Sequence, residues 1–550
     1  AQGPQPLAHP APALDVLLQP HYGSAARVDW LAVRMRFHDP RLQPGKPFLE
    51  AIVDLLGTRT SIADATLEAH DSQGTLGLAP VSEPGPKFEK KEGWTPERAS
   101  VGDVTVNYRE PVFTQSVVPS FTLVSEARAM FGAGMTFLAV PADSRTYRLQ
   151  VSWDLREMPA GSIGVWAFGR GTTQHLGKAQ DLLATFYEAG VLHRYEQGQF
   201  GVYWAGEPNF DVRAYASKAL KTYRYYEKFF GWSPGSYRIF LHAEPLGGSG
   251  TALKQSFLET YDPQKPESVT SLYHTLAHEM AHTFLPSIYP KDEPELAAWF
   301  HEGSAEYYSS VLPFRAGLIT PQEFLATIDT SIRDYYWAPS RNLSIRQAAA
   351  AGFFKANDVQ KIAYGRGRMF LAEIDAEIRA HSGGKASLDN ITQAIGERER
   401  HGQPHDLNVW LKMVAARVGP EARAQFNAMM AGKLVVPPSD AFGPCFRRER
   451  ADIPRFVLGF DAAELQRKNP HISGLIAGSA AAKAGVRDGD EVVSHTPLKA
   501  LYRNLTARMT LRVRRAGHIR DITYLPRGRL IPSYRWVRIP GVPSSECNHL

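Results

Sequence analysis

The sequence predicts a multidomain α+β protein, because strand-type and helix-type patterning occupy different parts of the chain. Apolar residues alternate with polar ones over about the first 170 residues, and apolar spacings of three and four follow from residue 211 to 433. Alternation then returns towards the C-terminus. Because 550 residues are too many for one hydrophobic core, we expect an N-terminal β-sandwich-like domain, a central part with a mostly helical second half, and a smaller C-terminal domain.

In the N-terminal part, two segments show period-two patterning: Leu31 to Phe37 and Tyr147 to Trp153. Each predicts a strand with one buried face. These strands belong to a β domain over residues 13–172, after a flexible N-terminus of residues 1–12. The stretch Ser82 to Thr95 is rich in proline, glycine and charge, which predicts a long loop or separator.

The central part changes to helical patterning. Apolar residues from Tyr215 to Phe230 predict a helix that Gly231 ends, and a short strand is expected over Tyr237 to His242. Further helices are predicted over 324–335, 366–379 and 421–431. The composition of Val435 to Ser439 is typical of a linker.

Composition excludes several classes of protein. Hydrophobic residues make up 43% and charged residues 21% of the chain, which is typical of a globular protein. We expect no membrane span, because no stretch reaches roughly 18 consecutive apolar residues. The formal net charge of +6 is mild. Ten arginines lie between Arg503 and Arg538, but without the aromatic interleaving of a nucleic-acid binder, so we expect no nucleic-acid partner.

The placement of the cysteines and the first residue indicate an oxidising compartment. Cys445 and Cys547 flank the last hundred or so residues, as a disulfide closing a C-terminal domain requires; two free thiols are the alternative. The chain begins with Ala1 rather than methionine, as a secreted protein does after its signal peptide is removed, although a trimmed start gives the same pattern. We therefore expect a periplasmic or secreted protein.

The segment that carries chemistry is His-Glu-Met-Ala-His at residues 278–282. On a helix, His278 and His282 lie one turn apart on the same face, so both imidazoles reach one zinc ion while Glu279 points to the adjacent water site. The surrounding apolar spacing is helical, with a start near Ser268. We expect one zinc ion per chain.

A zinc enzyme needs a third protein ligand and an open fourth position. Glu302 is the preferred candidate, 20 residues after His282, and His301 is the alternative. Glu306, one turn further on, is placed to orient a ligand histidine or else faces solvent. His274 lies one turn before His278 and extends the row of histidines on the same helix face. No glutamate lies between His274 and His278, so we interpret His274 as an outer neighbour of the site.

These residues resemble the gluzincin aminopeptidases, and more closely metallopeptidase family sixty-one, the glycyl aminopeptidase family. The resemblance includes the stretch from Glu302 to Ile319 and the motif from Tyr364 to Gly367. It implies a thermolysin-like catalytic domain over 173–335, a helical domain over 336–440 and a PDZ-like domain with a tail over 441–550. It also implies zinc held by His278, His282 and Glu302, Glu279 as general base, and a tyrosine at 364 that stabilises the oxyanion.

The C-terminal part adds two features to the resemblance. The segment Leu458-Gly459-Phe460 resembles the carboxylate-binding loop of PDZ domains, which takes a peptide C-terminus. The stretch from Gly478 to Asp490 looks like the helix and turn that follow it. Peptide capture and packing on the catalytic part remain equal alternatives.

One departure from the family pattern concerns the strand that binds substrate. Aminopeptidases of this type usually have Gly-x-x-Glu before the helix that carries the two zinc-binding histidines. The glutamate of this motif binds the free amino group of the substrate. This chain offers no acid among the residues at that place: Gly247, Gly248, Ser249, Gly250, Thr251 and Ala252. Lys254 nearby could favour acidic side chains, although an exposed lysine without a role is the simpler interpretation. The amine anchor is therefore open.

The function we predict is a zinc aminopeptidase that releases N-terminal glycine or alanine from peptides. The preference for small residues is implied by the resemblance alone. A zinc endopeptidase is the alternative within enzymes, favoured by the missing acid. From another class, the chain could be a PDZ-bearing protein that binds peptides without catalysis.

Overall fold

The computed structural model describes residues 11–83, 89–117, 120–244, 249–289, 294–351 and 357–547. The strands are β1 (Ala13–Tyr22), β2 (Val28–Phe37), β3 (Leu49–Leu55), β4 (Thr58–Arg59), β5 (Glu68–Asp71), β6 (Gly74–Leu76), β7 (Leu78–Glu83), β8 (Glu89–Pro96), β9 (Val104–Pro111), β10 (Val124–Glu126), β11 (Ala129–Ala133), β12 (Val140–Pro141), β13 (Thr146–Trp153), β14 (Ile163–Trp166), β15 (Gly169–Arg170), β16 (Thr173–Lys178), β17 (Phe186–Gly190), β18 (His193–Gln197), β19 (Phe200–Trp204), β20 (Tyr237–Ala243), β21 (Gly250–Leu253), β22 (Ser256–Tyr261), β23 (Phe446–Arg450), β24 (Ile453–Phe456), β25 (Glu491–His495), β26 (Met509–Arg515), β27 (His518–Tyr524), β28 (Arg527–Ile531) and β29 (Tyr534–Arg538). The helices are α1 (Val212–Phe230), α2 (Val269–Phe284), α3 (Pro294–Arg315), α4 (Pro321–Tyr335), α5 (Ile345–Ala351), α6 (Asn357–Ser382), α7 (Leu388–Arg400), α8 (Leu407–Val418), α9 (Ala422–Met430), α10 (Ala480–Lys483) and α11 (Leu498–Arg503).

The chain divides into two compact units. The first comprises Ala1–Tyr223 with Trp232–Thr283, and the second comprises Arg224–Gly231 with Phe284–Leu550. The first is rich in β structure and the second holds most of the helices. This distribution confirms the multidomain α+β fold. No helix in the described parts of the chain combines the length and the apolar character needed to cross a membrane.

The N-terminal part of the first unit is built on a seven-stranded sheet in the order β16-β13-β1-β2-β9-β5-β6. In β2, Leu31, Val33 and Met35 are buried while Arg34 and Arg36 are exposed, as period-two patterning predicts. Buried side chains of β1, β2 and β9 share one hydrophobic core with residues of the neighbouring sheets. The predicted strand at 147–153 is also confirmed, as β13.

The prediction of a long loop over residues 82–95 is wrong for its described part. β7 and β8 form an antiparallel pair there, with Ser82 opposite Glu92. In β8, Trp94 and Pro96 are buried, so the strand has a core-facing side despite its lysines and glutamates. Local composition indicated a loop, but pairing with β3 and β7 provides the hydrogen bonds that hold this polar segment extended.

A second sheet of the first unit includes β21, the strand that contacts α2. Its order is β18-β19-β20-β22-β21, and β20 runs parallel to both β19 and β22. The predicted helix at 215–230 and strand at 237–242 are confirmed as α1 and β20. Strand β21 is the last of the order and pairs with β22 alone among the described strands.

The helices of the second unit pack closely because two glycines meet where α3 crosses α6. A Cβ atom on Gly303 would lie 2.5 Å from the Cα atom of Gly367, and one on Gly367 would lie 2.0 Å from the carbonyl oxygen of Trp299. The fully buried Arg368 joins the same helices to α4, since its guanidinium donates to Ser310 Oγ at 2.8 Å and to the Thr327 carbonyl at 2.7 Å. These contacts fix α3 relative to α6.

The C-terminal part of the second unit contains three small sheets: β23-β29, β24-β28 and β25-β26-β27. A disulfide joins Cys445 to Cys547. The expected linker at 435–439 has neither helix nor strand, yet it is held in place because the Tyr336 hydroxyl donates to the Val435 carbonyl at 2.9 Å. Five of the ten arginines at 503–538 form ion pairs in the described structure, among them Arg515 with Asp490.

Candidate active site

The two histidines of α2 converge on one point. α2 buries Leu276 and Met280, so its polar face carries His278 and His282 one turn apart. Their Nε2 atoms lie 3.2 Å from each other. Two nitrogens that bind one tetrahedral zinc at about 2.0–2.1 Å are about 3.3 Å apart. The histidine pair therefore has the separation that a shared zinc ion requires.

Glu279 lies between this pair and the edge strand of the sheet. Ligand-type atoms of His278, Glu279 and His282 are within 4.8 Å of one another. Glu279 Oε2 also accepts a hydrogen bond from the backbone N–H of Ala252 in β21, at 3.2 Å. A carboxylate between a metal site and an edge strand is placed to exchange protons with a substrate that binds along that strand.

β21 can approach α2 closely because residue 250 is a glycine. A Cβ atom at this position would lie 2.6 Å from Thr275 Cγ2 and 2.5 Å from the ring of Phe257. Only glycine allows this contact without a shift of the backbone. Ser249 is fixed as well, because its carbonyl accepts from Thr260 N–H at 2.9 Å. Gly247 and Gly248, also predicted to form the substrate strand, lie outside the described residues.

The sequence analysis missed a buried acid behind the site, Glu259 on β22. Its side chain is fully buried, and the Tyr215 hydroxyl donates to its Oε2 at 3.1 Å. Burial raises the pKa of Glu259 well above its usual value, and the negative charge of Glu279 raises it further. The protonated form of Glu259 is therefore favoured in the folded protein. The signal available in the sequence was an acid in the run from Phe257 to Tyr261, whose other residues are apolar except for Thr260.

Two other residues named from the sequence lie in the first unit. His274 is half-buried on α2, one turn before His278. Lys254 does not offer a free positive charge, because its Nζ forms an ion pair with Asp181 Oδ1 at 2.7 Å. Asp181 also contacts His175 at 2.9 Å. Neutralisation of Lys254 removes the reason to expect attraction of acidic substrate side chains.

In the second unit, α3 carries the candidate third ligand. Glu302 is half-buried, and its Oε1 lies 3.5 Å from Nδ1 of the exposed His301. Glu306, one turn later, is 8% exposed. Its burial excludes the alternative of a solvent-facing helix acid.

Tyr364 lies on α6, where the glycine contact holds α6 against α3. Tyr364 is half-buried, and Lys361 Nζ lies 3.8 Å from the centre of its ring. Gly303 follows Glu302 directly, and Gly367 is three residues after Tyr364. The close crossing of the two glycines therefore fixes the position of Glu302 relative to Tyr364.

Comparison with known proteins gives a family match over the same segment. Residues 271–366 match the M61 glycyl aminopeptidase family. The matched segment contains the histidine pair, Glu302 and Tyr364. No curated protein matches the chain.

One solved structure shows the same fold at low identity, and two others have lower TM-scores. An aminopeptidase N family protein from Idiomarina loihiensis superposes with a TM-score of 0.68 at 12% identity, covering 97% of this chain and 99% of that one. Yeast LTA4 hydrolase gives 0.47 at 11% identity, covering 78% and 68%. An M1 zinc metallopeptidase from Deinococcus radiodurans gives 0.44 at 16% identity, covering 78% and 95%.

The family match confirms the resemblance to the glycyl aminopeptidases. The matched segment contains the histidine pair of α2 and Glu302, the candidate third ligand. The chain is therefore a metallopeptidase.

Proposed function

We propose that this metallopeptidase of the M61 glycyl aminopeptidase type is a zinc-dependent aminopeptidase that releases small N-terminal residues, glycine or alanine, from peptides. The observation that carries the proposal is the geometry of α2 beside β21. Two imidazole Nε2 atoms lie 3.2 Å apart, and the adjacent Glu279 contacts the backbone of the edge strand. The family match over residues 271–366 supports the same activity.

In this proposal His278, His282 and Glu302 hold the zinc ion. When bound, zinc supplies a Lewis acid that polarises the scissile carbonyl and acidifies water. Glu279 takes the proton from the attacking water and returns it to the leaving amine. Glu306 orients a ligand histidine, as buried carboxylates commonly do around zinc sites, and its burial supports that role. His274 is an outer neighbour of the same histidines.

The substrate backbone pairs with the free edge of β21. Pairing along Thr251 and Ala252 brings the scissile carbonyl to Glu279, because Ala252 N–H is 3.2 Å from that carboxylate. Tyr364 donates its hydroxyl to the oxygen on which negative charge develops. Such a contact stabilises the transition state more than the bound substrate. The contact between α3 and α6 supports this role, because it holds Tyr364 in place relative to Glu302.

A zinc endopeptidase is the second candidate, since no acid is present among the described residues of β21 to hold a free amino group. The discriminating experiment compares alanyl and glycyl peptides with a free N-terminus against the same peptides N-acetylated. An aminopeptidase cleaves the free peptides and leaves the acetylated ones intact. Comparable cleavage of both would contradict the aminopeptidase and favour the endopeptidase.

The role of Glu279 is tested by Glu279→Gln. This variant should keep its zinc and lose nearly all turnover, by about 10² to 10⁴ in kcat, because the amide cannot accept the proton. Metal content measured on the same sample separates this role from ligation. Loss of zinc in Glu279→Gln would make the glutamate a ligand and contradict the assignment. Full activity would exclude it as the base.

For the C-terminal part we propose a PDZ-like unit that packs on the helices rather than capturing a peptide C-terminus. In PDZ domains the bound peptide pairs with the exposed edge of a strand. Here the loop at Leu458, Gly459 and Phe460 is followed by a 3₁₀ turn, Ala462–Gln466, and not directly by a strand. Helix α11 contacts α4, and Arg503 forms an ion pair with Asp334 at 3.2 Å. Both observations favour packing.

The compartment we propose is the periplasm or the exterior of the cell. The support is the disulfide between Cys445 and Cys547, since disulfides persist in oxidising compartments and are rare in the cytosol. Fractionation of the producing cells checks this assignment. Recovery of the protein in the cytosol with both thiols reduced would contradict it.

A further inference from the structure

A cavity of about 930 Å³ opens on the seven-stranded sheet of the first unit. Its lining residues lie between positions 17 and 157, so neither α2 nor the sheet that carries β21 contributes to it. Its volume is within the range of about 300–1,000 Å³ that is usual for small-molecule sites. The proposed peptidase activity makes no use of this cavity.

The floor of the cavity is formed by one face of β1, β2 and β9. The small side chain of Ala32 lies near its middle, and its partners across the neighbouring strands are Gln19 and Arg109. Arg34 and Trp30 are two residues away on β2 and therefore project from the same face. The longer side chains around Ala32 create the depression.

Arg109 is held in a fixed orientation without a partner for its charge. Its guanidinium carbon lies 4.4 Å from the centre of the Trp30 ring, and the His21 ring stacks on the same tryptophan at 4.5 Å. Arg109 is exposed, and within the described residues it has no hydrogen bond or ion pair. Because Arg109 also lines the cavity, its guanidinium is available to a ligand that binds there.

Arg34 is the second guanidinium of the floor. Its Nε donates to Asn107 Oδ1 at 3.0 Å, which leaves its terminal nitrogens without a partner in the described structure. The same bond orients the side-chain amide of Asn107, whose N–H₂ group remains as a donor. Arg34 and Arg109 are diagonal neighbours on adjacent strands, a spacing that long side chains can bridge.

Two of the four carboxylates that line the cavity form ion pairs with arginines. Asp154 forms an ion pair with Arg156 at 2.6 Å, and Glu157 contacts His21. Asp64 is paired with Arg59 at 2.7 Å. Glu68 is the lining carboxylate that has no ion pair among the described residues. Arg34 and Arg109 thus carry the unpaired positive charge of the floor, and the carboxylates of Glu68 and Glu157 lie among the same lining residues.

We propose that this cavity binds an acidic saccharide of two or three rings. The two guanidiniums hold a carboxylate of the ligand through charge-assisted hydrogen bonds. Gln19, Asn107 and Glu68 provide the mixture of donors and acceptors that sugar hydroxyls require. An acidic peptide fits less well, because β1, β2 and β9 are each paired on both sides and offer no strand edge to a peptide backbone.

The experiment is isothermal titration calorimetry of the full chain with a galacturonic acid trisaccharide. The neutral galactose trisaccharide and tri-glutamate serve as competing ligand classes. Arg109→Gln should weaken the acidic trisaccharide about tenfold or more, the effect of one charged hydrogen bond. Ala32→Leu should weaken it comparably by filling the floor without a change of charge. Arg36→Gln is the matched control, since Arg36 lies on the same face of β2 but is paired with Asp103 at 2.7 Å and does not line the cavity.

Selective binding of the acidic trisaccharide, weakened by Arg109→Gln and Ala32→Leu but not by Arg36→Gln, supports the proposal. Equal binding of the neutral trisaccharide would show that the ligand carboxylate is not recognised. Tighter binding of tri-glutamate would contradict the assignment of a saccharide as the ligand. If none of the three ligands binds measurably at millimolar concentration, the cavity is not a binding site of this kind. Thermal unfolding of each variant verifies that it is folded. Peptidase activity is measured in parallel, so the outcome does not depend on the proposed function.

Discussion

The contact between Gly303 and Gly367 provides a quantitative test of how the second unit positions its residues. In Gly367→Ala, the added methyl group would lie 2.0 Å from the carbonyl oxygen of Trp299 and 2.8 Å from Gly303 Cα. Ordinary contacts of carbon atoms begin near 3.5 Å. The helices α3 and α6 must therefore separate by about 1.5 Å at their crossing.

Two effects of Gly367→Ala follow from this separation. Overpacking of a tight core contact costs about 1–3 kcal/mol of folding free energy, which lowers the unfolding temperature by several degrees. A displacement of about 1 Å in a catalytic arrangement costs about 10² in rate. Because α3 carries Glu302 and α6 carries Tyr364, we expect kcat to fall by one to two orders of magnitude.

The assay combines differential scanning calorimetry with steady-state kinetics on a free alanyl peptide. The matched control is Gly396→Ala in α7, where the added Cβ would meet the flexible end of Arg400 at 3.2 Å and Pro286 Cβ at an ordinary contact distance of 4.0 Å. Alanine in a helix interior is favoured by about 1 kcal/mol over glycine, so this control should be neutral or stabilising. If Gly367→Ala unfolds at the wild-type temperature and keeps its kcat, the helices are not in the described contact and the reasoning is refuted.

The other predictions concern single groups. Tyr364→Phe should lower kcat by about 10² to 10³ with little change in KM, and an unaltered kcat would exclude the hydroxyl from catalysis. Burial raises the pKa of Glu110 to about 9, so the folded state keeps a proton that the unfolded state loses, and stability falls as pH rises from about 4.5 to about 9. Glu110→Gln should therefore stabilise the protein more at pH 8 than at pH 5. The difference in the free energy of unfolding is at most about 1.4 kcal/mol per pH unit. A gain in stability that does not depend on pH would contradict the raised pKa of Glu110. Reduction of the disulfide, which closes a loop with a sequence separation of 102, should destabilise the C-terminal part by about 4–5 kcal/mol in the chain-entropy description; unchanged unfolding after verified reduction would contradict that expectation.

Periodic patterning was sufficient to predict the helix that carries the histidine pair and one strand of the neighbouring sheet. The helix α2 and the strand β20 follow from apolar spacing, which depends only on which residues must be buried. The pair β7 and β8 was missed because its lysines, glutamates and prolines indicate a loop, whereas pairing with neighbouring strands decides its conformation. Such pairing is a property of the tertiary fold.

The spacing of the histidine motif predicted the convergence of His278 and His282, because one helical turn sets that distance mechanically. Contacts between distant segments had no comparable signal. Gly303 and Gly367 are separated by two intervening helices in the sequence, and nothing local indicates that they touch. Likewise, the burial of Glu259 depends on Tyr215 of α1, which supplies the hydrogen bond that a buried carboxyl needs.

The metal content of purified protein tests the central claim most directly. After dialysis against metal-free buffer, wild-type protein, His278→Ala, Glu302→Ala and the control Glu397→Gln, an exposed acid on α7, are measured by plasma mass spectrometry. We expect one zinc ion per chain in the wild type and the control, and far less than one in His278→Ala and Glu302→Ala. Wild-type protein without zinc after incubation with the metal, or a full zinc content in either ligand variant, would contradict the account.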